Sequence, residues 1–231
     1  MTTDAISLGG ALSGSAALVI QPKTTSTTIA LGTDATGALK LDDTEIGYLS
    51  NGFSSITLGS TTGTGAMAVN FATVPTFADN LVIRSSSGAI TAVDTIDTAT
   101  NTLTISSGGA VSVAGITSGT LAITGTGITL NGNITTSGTQ TYTGAVTLGG
   151  SVTAASTGGS STGNTISFGS SVNGAQALVV DAGVGAITFG STIGNLTGLA
   201  SIALTTSHAT GITLTGGITT TGTQTYTGAA R

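Results

Sequence analysis

No cysteine and no tryptophan occur in the 231 residues, and there are only two prolines, one histidine and four basic side chains. Without cysteine no disulfide forms in any compartment, and no thiolate is available to hold a metal or attack a substrate. The single histidine, His208 in TTSHATG, has no second imidazole with which to share a metal, and it reads as a solvated corner residue. Lys23, Lys40, Arg84 and Arg231 stand against nine acids, for a net charge of −5. That is too little positive charge to neutralise a run of phosphates or to draw the chain onto an anionic bilayer. Nucleic acid and anionic lipid are therefore not expected as partners. The longest aliphatic run, AALVI at 16–20, is far too short for a membrane-crossing helix. Aromatics, at 3%, cannot furnish the two girdles of a membrane barrel. Scarce proline excludes collagen despite 37 glycines, which keep no strict period of three. The start, MTTDAISLGG, lacks the basic and long apolar regions of a secretory signal peptide.

Charged residues make up 6% of the chain, against about a quarter in an ordinary soluble domain. Disorder is nevertheless excluded, because Ile, Val, Leu and Thr are plentiful where disordered chains are rich in charge and proline. The local pattern has period two. Apolar pairs separated by one residue recur as Leu103/Ile105, Val111/Val113, Leu121/Ile123, Ile128/Leu130, Val146/Leu148, Leu178/Val180, Ile187/Phe189, Ile202/Leu204 and Ile212/Leu214. Both members of such a pair lie on one face of a strand. Threonine, a good strand former, often stands between them. Glycine, Ser-Gly, Asn-Gly and Thr-Gly end the runs, where positive φ and tight bends are needed. Helix formers are nearly missing, so essentially no helix is expected.

Repetition decides among the all-β solutions. GITLNGNITTSGTQTYTGAV (127–146) and GITLTGGITTTGTQTYTGAA (211–230) share sixteen of twenty positions and lie 84 residues apart. A fainter match links ISLGGALSGSAALVI (6–20) with ISFGSSVNGAQALVV (166–180), at seven of fifteen positions. A Greek-key sandwich or an antiparallel barrel gives no reason for one repeated unit. A β-solenoid does: short strands stack coil on coil, aliphatics inside, Thr, Ser and Asn outside, glycine at the corners. At roughly twenty residues per coil, the 84-residue period would be about four coils and the chain about eleven. The expected organisation is a single continuous rod, with divergent coils over 1–115 and repeat coils over 116–231. The second copy breaks off at Ala230-Arg231, which reads as a piece of a longer array or as a naturally short subunit.

The strings GITLNGNITTSGTQTYTGAVTLGGSV (127–152), TISFGSSVNGAQALVV (165–180) and AITFGSTIGNLTGLASIAL (186–204) resemble the repeats of very large bacterial surface exoproteins. These are the β-strand-repeat, filamentous-haemagglutinin-like and autotransporter-like adhesins. DDTEIGYLSNGFSSITLGSTTGTGAM (42–67) and DNLVIRSSSGAI (79–90) are similar to a module that often precedes such repeats. The resemblance implies a right-handed parallel β-helix shaft, export to the bacterial cell surface, and a non-enzymatic role in attachment or envelope structure.

Several residues could carry chemistry. Asp42, Asp43 and Glu45 form the only dense acidic cluster. They read as a polar turn before Ile46, and as a weak Ca²⁺ candidate, because hard cations take several oxygens. Asp94 and Asp97 come next, but a glycosidase needs two carboxylates across one bond and a shaped cleft, and no aromatic platform accompanies either group. No cofactor is expected. Thr139, Thr141 and Thr143, with Thr223, Thr225 and Thr227, form Thr-x-Thr rows that read as ordinary strand exteriors or as an ice- or glycan-binding face. Tyr142 and Tyr226 hold equivalent places and read as partly buried packing or corner residues. Asn133 and Asn195 match the glycosylation sequon, which chance explains in a threonine-rich chain. A solenoid without capping coils leaves open backbone edges, so the expected partner is a further copy of the chain, joined head to tail into a fibre.

Overall fold

The computed structural model describes residues 1–156 and 163–228. The chain is a parallel β-solenoid of about eight turns, and the twenty strands among the described residues belong to one hydrogen-bonded system. Three faces are distinguishable. On the first, Leu18–Ile20, Ile56–Gly59, Leu81–Ser85, Leu103–Ser107, Leu121–Leu130, Gln140–Leu148, Ile166–Phe168, Ile187–Phe189 and Ile212–Leu214 lie side by side in that order. The second runs from Ile29–Leu31 through Met67–Val69, Ile90–Asp97 and Val111–Ser118 to the later halves of the two long strands that begin at Leu121 and Gln140. On the third, the later parts of the strands beginning at Ile90 and Val111 lead to Ile134–Thr136, Val152–Ala155, Ala177–Asp181, Ser201–Thr205 and Gln224–Thr227.

The period-two pairs are the reason for the core. Leu103/Ile105, Leu121/Ile123, Leu178/Val180 and Ile202/Leu204 all point inward and are buried. Parallel stacking places like on like, as in the column Leu81, Leu103, Leu121. Each such side chain contributes roughly 1.5–3 kcal/mol by burial. All five phenylalanines are buried as well.

Coil length departs from the twenty-residue expectation. Successive first-face strands start as little as 18 residues apart, at Leu103 and Leu121, and as much as 38 apart, at Leu18 and Ile56. The chain therefore makes fewer turns than eleven. The long first turn has a cause: Leu39–Leu41 doubles back and pairs with Ile29–Leu31 on the edge opposite Met67–Val69. Next comes one five-residue helix, Asp43–Gly47, where the acidic cluster reads in sequence as a turn. Its start is a capping box, with Asp42 accepting from the Glu45 N–H and Glu45 accepting from the Asp42 N–H.

The hydroxyl groups are not all outside. Thr98, Ser118, Thr136, Ser156 and Thr206 are buried at the corner between the third and first faces. Four of them donate to a corner carbonyl: Thr98 to Asn101, Thr136 to Gly138, Ser156 to Asn164 and Thr206 to Gly185. A corner exposes carbonyls that no strand partner can reach, and a short inward hydroxyl satisfies them. Ser85 and Ser107 act in the same way at the first-to-second corner.

The two ends differ. At the head, Ile6, Leu8, Leu12 and Leu49 pack over the core, and Leu12 pairs with Leu49. At the tail, the last turn is Ile212–Leu214, Ile218 and Gln224–Thr227, with Leu214 and Ile218 half-buried and residues 221–228 exposed.

Candidate functional site

The repeated heptad builds the same hydrogen-bonded unit twice. In the first copy Thr136 Oγ1 donates to Gly138 O at 2.7 Å, Gln140 Nε2 donates to Thr136 Oγ1 at 3.2 Å, and Tyr142 OH donates to Gln140 Oε1 at 2.9 Å. In the second, Thr220 Oγ1 donates to Gly222 O at 2.8 Å, Gln224 Nε2 to Thr220 Oγ1 at 3.2 Å, and Tyr226 OH to Gln224 Oε1 at 2.7 Å. The relay is local in sequence, so it travels with the heptad.

The surroundings of the two copies are unlike. Gln140–Tyr142 lies on the first face and Gln224–Thr227 on the third. From Gln140 the chain makes three turns, through Ile166 and Ile187 to Ile212, and then passes on by two faces. The 84-residue period is thus not a whole number of coils, and the expectation of four is corrected. Two different faces accept the unit, because both offer the same parallel ladder.

Tyr142 is wholly buried rather than partly so. Its ring stacks on Phe168 at 4.7 Å, and Phe168 stacks on Phe189 at 4.8 Å, the planes within 8° and 3° of parallel. Gln140, also buried, uses its second amide hydrogen on Ala155 O at 2.8 Å. Every polar atom of this buried pair is therefore satisfied as donor or acceptor. Burial pushes the Tyr142 phenol far above its usual titration range, which keeps it neutral as a hydrogen donor. Tyr226 packs on one side only, against the coil carrying Leu204, and is 36% exposed. Burial raises its phenol too. The sequence signal for the aromatic column is present in TISFG and AITFG, but stacking appears only once the register is known.

The threonines of both rows, Thr139, Thr141 and Thr143 with Thr223, Thr225 and Thr227, face outward and are exposed. They lie on different faces and do not join into one array. Beside Thr141 the outward column reads Ala122, Ser167, Thr188 and Thr213.

The acids act as brackets between segments. Asp43 accepts from the N–H groups of Thr33, Ala72 and Thr73. Desolvation acts to raise its pKa, but these bonds and the Thr33 hydroxyl outweigh it and hold the carboxyl below the usual range. Asp79 accepts from the N–H groups of Gly52 and Phe53, Asp94 from that of Phe71, and Asp97 from the Thr76 hydroxyl. Glu45 also reaches the Leu8 N–H at 2.7 Å. Asp42, Asp43 and Glu45 thus spend their oxygens on backbone amides in separate directions, and among the described residues no three His, Asp or Glu side chains gather as a metal site. His208 is half-buried, with Nδ1 facing the Thr210 N–H and hydroxyl. A shallow depression of about 350 Å³ surrounds Arg84, lined by Ser60, Thr61, Ser106 and Thr124.

Four features stand out as usable by a partner: the exposed tail strand, its unmatched Gln–Tyr pair, the half-exposed Leu214 and Ile218 beside it, and the absence of any charged side chain from 209 to 228. Comparison with family models, with curated proteins and with solved structures finds no match to the chain.

Proposed function

We propose that the chain is a non-enzymatic structural segment: a stretch of solenoid shaft from an exported bacterial surface protein, extended end to end with further copies of itself. The observation that carries this reading is the tail. The last described coil is half-buried and apolar, its outward strand edge has no backbone partner among the described residues, and such an edge is a template for another parallel strand. Natural edge strands are commonly defended by charge or proline, and residues 209–228 contain neither. The resemblance to bacterial surface repeats supports export and the cell surface as the setting. The alternative, a glycan- or ice-binding face, calls for a uniform outward row, and the outward columns are mixed in chemistry.

Negative-stain electron microscopy over a range of protein concentrations tests the reading. Filaments that lengthen with concentration are expected. Dispersed single particles at the highest soluble concentration would remove end-to-end extension.

A further inference from the structure

Arg84 is the one arginine among the described residues, and it stands in an outward column of short side chains. On the first face the register runs Gly59↔Arg84, Arg84↔Ser106 and Ser106↔Thr124. Its neighbours Ile83 and Ser85 are buried, so alternation along the strand sends the Arg84 side chain outward. On the coil before it Gly59 has no side chain, and on the two coils after it Ser106 and Thr124 have short ones. A long side chain among such neighbours leaves a hollow. This is the depression of about 350 Å³, whose wall also includes Ser60, Thr61 and Ser86.

Two features separate this hollow from ordinary surface. No acid lines it, so the guanidinium has no counter-charge there, in a chain with nine acids and only four basic side chains. Arg84 Nε, moreover, is buried and has no hydrogen-bond partner. A buried donor without a partner is uncommon in folded chains and costs more when it is charged. A lysine or histidine could escape that cost by losing its proton; a guanidinium cannot.

The wall does not meet this demand itself. The Ser85 and Ser107 hydroxyls turn inward and donate to the Gly63, Gly65 and Gly88 carbonyls. Ser60 Oγ accepts from the Thr62 N–H at 3.2 Å and lies 3.1 Å from Thr62 Oγ1. The hydroxyls of Thr61, Ser106 and Thr124 complete the rim, with Thr61 and Thr124 exposed and Ser106 half-buried.

These groups specify a ligand. The fork of a guanidinium matches a carboxylate through two parallel N–H···O bonds. One fixed charge, with no second cation in the wall, suits a monoanion and not a run of phosphates. No aromatic ring lines the hollow, so a flat ring has nothing to stack on, whereas a hydroxyl rim exchanges hydrogen bonds with ligand hydroxyls. A carboxylate flanked by hydroxyls is the chemistry of an acidic sugar.

We propose that the hollow around Arg84 binds the carboxylate of a uronic acid, with Arg84 as its anchor and Thr61, Ser106 and Thr124 as partners of the sugar hydroxyls. On binding, the outer torsions of the Arg84 side chain turn its Nε–Nη edge toward the ligand. One carboxylate oxygen then accepts from Nε and the other from Nη, and the buried donor gains its partner. The hollow lies between described coils on both sides, so it is independent of end-to-end extension. It is also a discrete site rather than a threonine row.

Heteronuclear NMR on the isotope-labelled full chain tests this at constant ionic strength. The sequence holds only two arginines, Arg84 and Arg231, so the Arg84 Nε–H signal is assigned by its loss in Arg84→Lys, and Arg231 serves as the internal control. Glucuronate is expected to move the Arg84 Nε–H and the Ser106 and Thr124 amide signals saturably while leaving Arg231 in place. Glucose, which lacks the carboxylate, is expected to give no saturable shift, and acetate, which lacks the hydroxyls, a weaker one. Saturation-transfer measurements on the ligand give the same comparison whatever the assembly state. There Arg84→Lys, which keeps the charge but loses the fork, is expected to weaken glucuronate binding about tenfold. An unchanged amide spectrum away from the hollow shows that the variant is folded. A trimeric uronate separates a single sugar from a chain: equal affinity confines the ligand to one residue, and tighter binding extends it along the coils. Equal shifts at Arg84 and Arg231, or unaltered binding in Arg84→Lys, would overturn the site. Tighter binding of inorganic sulfate than of glucuronate would overturn the carboxylate assignment.

Discussion

Phe168→Ala is expected to lower the unfolding free energy by about 3–5 kcal/mol, the usual cost of deleting a buried aromatic side chain. The ring is 0% exposed and is clamped between Tyr142 and Phe189. Its site cannot collapse, because the strands on both sides are fixed by ladder bonds such as Gly169 N–H to Tyr142 O and Gly190 N–H to Phe168 O. The void therefore persists, and both neighbouring rings lose a stacking partner. The damage also falls at a junction. A solenoid is held together between neighbouring coils, so weakening one mid-chain interface separates the two halves energetically. Urea unfolding checks this through a lower midpoint and a transition broadened toward two steps. Tyr226→Ala serves as the contrast: its ring is partly exposed and has a neighbour on one side only, so a loss below about 1 kcal/mol is expected. Equal losses from the two substitutions would contradict the stacked-column account.

The second large effect is expected from Gly59→Ala. Gly59 has φ +94°, and a Cβ built there would stand 1.9 Å from the Arg84 carbonyl oxygen on the next coil. The left-handed conformation and the backbone collision act together, and strain and overpacking give a loss of about 2–4 kcal/mol. Gly127→Ala is the control, because nothing lies within 4 Å of its would-be Cβ; a change within about 0.5 kcal/mol is expected. Thermal unfolding of the two variants beside the parent protein checks both. The contrast explains the glycine content in part. Where coils close on one another at a corner, the space above a carbonyl oxygen is already taken.

Much of the fold is legible in the residues. Pairs such as Leu121/Ile123 and Leu178/Val180 announce strands with one buried face, and the repeated heptad announces stacking. The turn count is less legible. It depends on excursions such as Leu39–Leu41 doubling back, which short apolar runs do not foretell. The short helix is signalled only by Asp42 and Glu45 at capping-box spacing, in a segment too brief to show a helical period. The inward hydroxyls of Thr98, Thr136 and Thr206 look like any other threonine in sequence, because their direction is set by where the chain turns. The tyrosines teach the same lesson about the candidate site. Identical heptads surround Tyr142 and Tyr226, yet one ring is enclosed and the other half open. The difference lies in the next coil, which is a property of the stack and not of the heptad. The acidic cluster, read as an ion site or a turn, bonds to backbone amides drawn from residues far away in sequence, and no local pattern reveals those partners.

Distances along the first face test the stacking most directly. Val82, Thr104, Ala122, Thr141, Ser167, Thr188 and Thr213 occupy successive coils of one outward column. Cysteine can be placed at chosen pairs in this cysteine-free chain, and spin labels attached there. With about 4.8 Å per coil, the pair 82 and 167, four coils apart, is expected near 19 Å, and the pair 82 and 213, six coils apart, near 29 Å. A separation growing by one such step per coil is the result predicted. Equal distances for the two pairs, or a shorter one for the pair farther apart in sequence, would contradict a stacked solenoid.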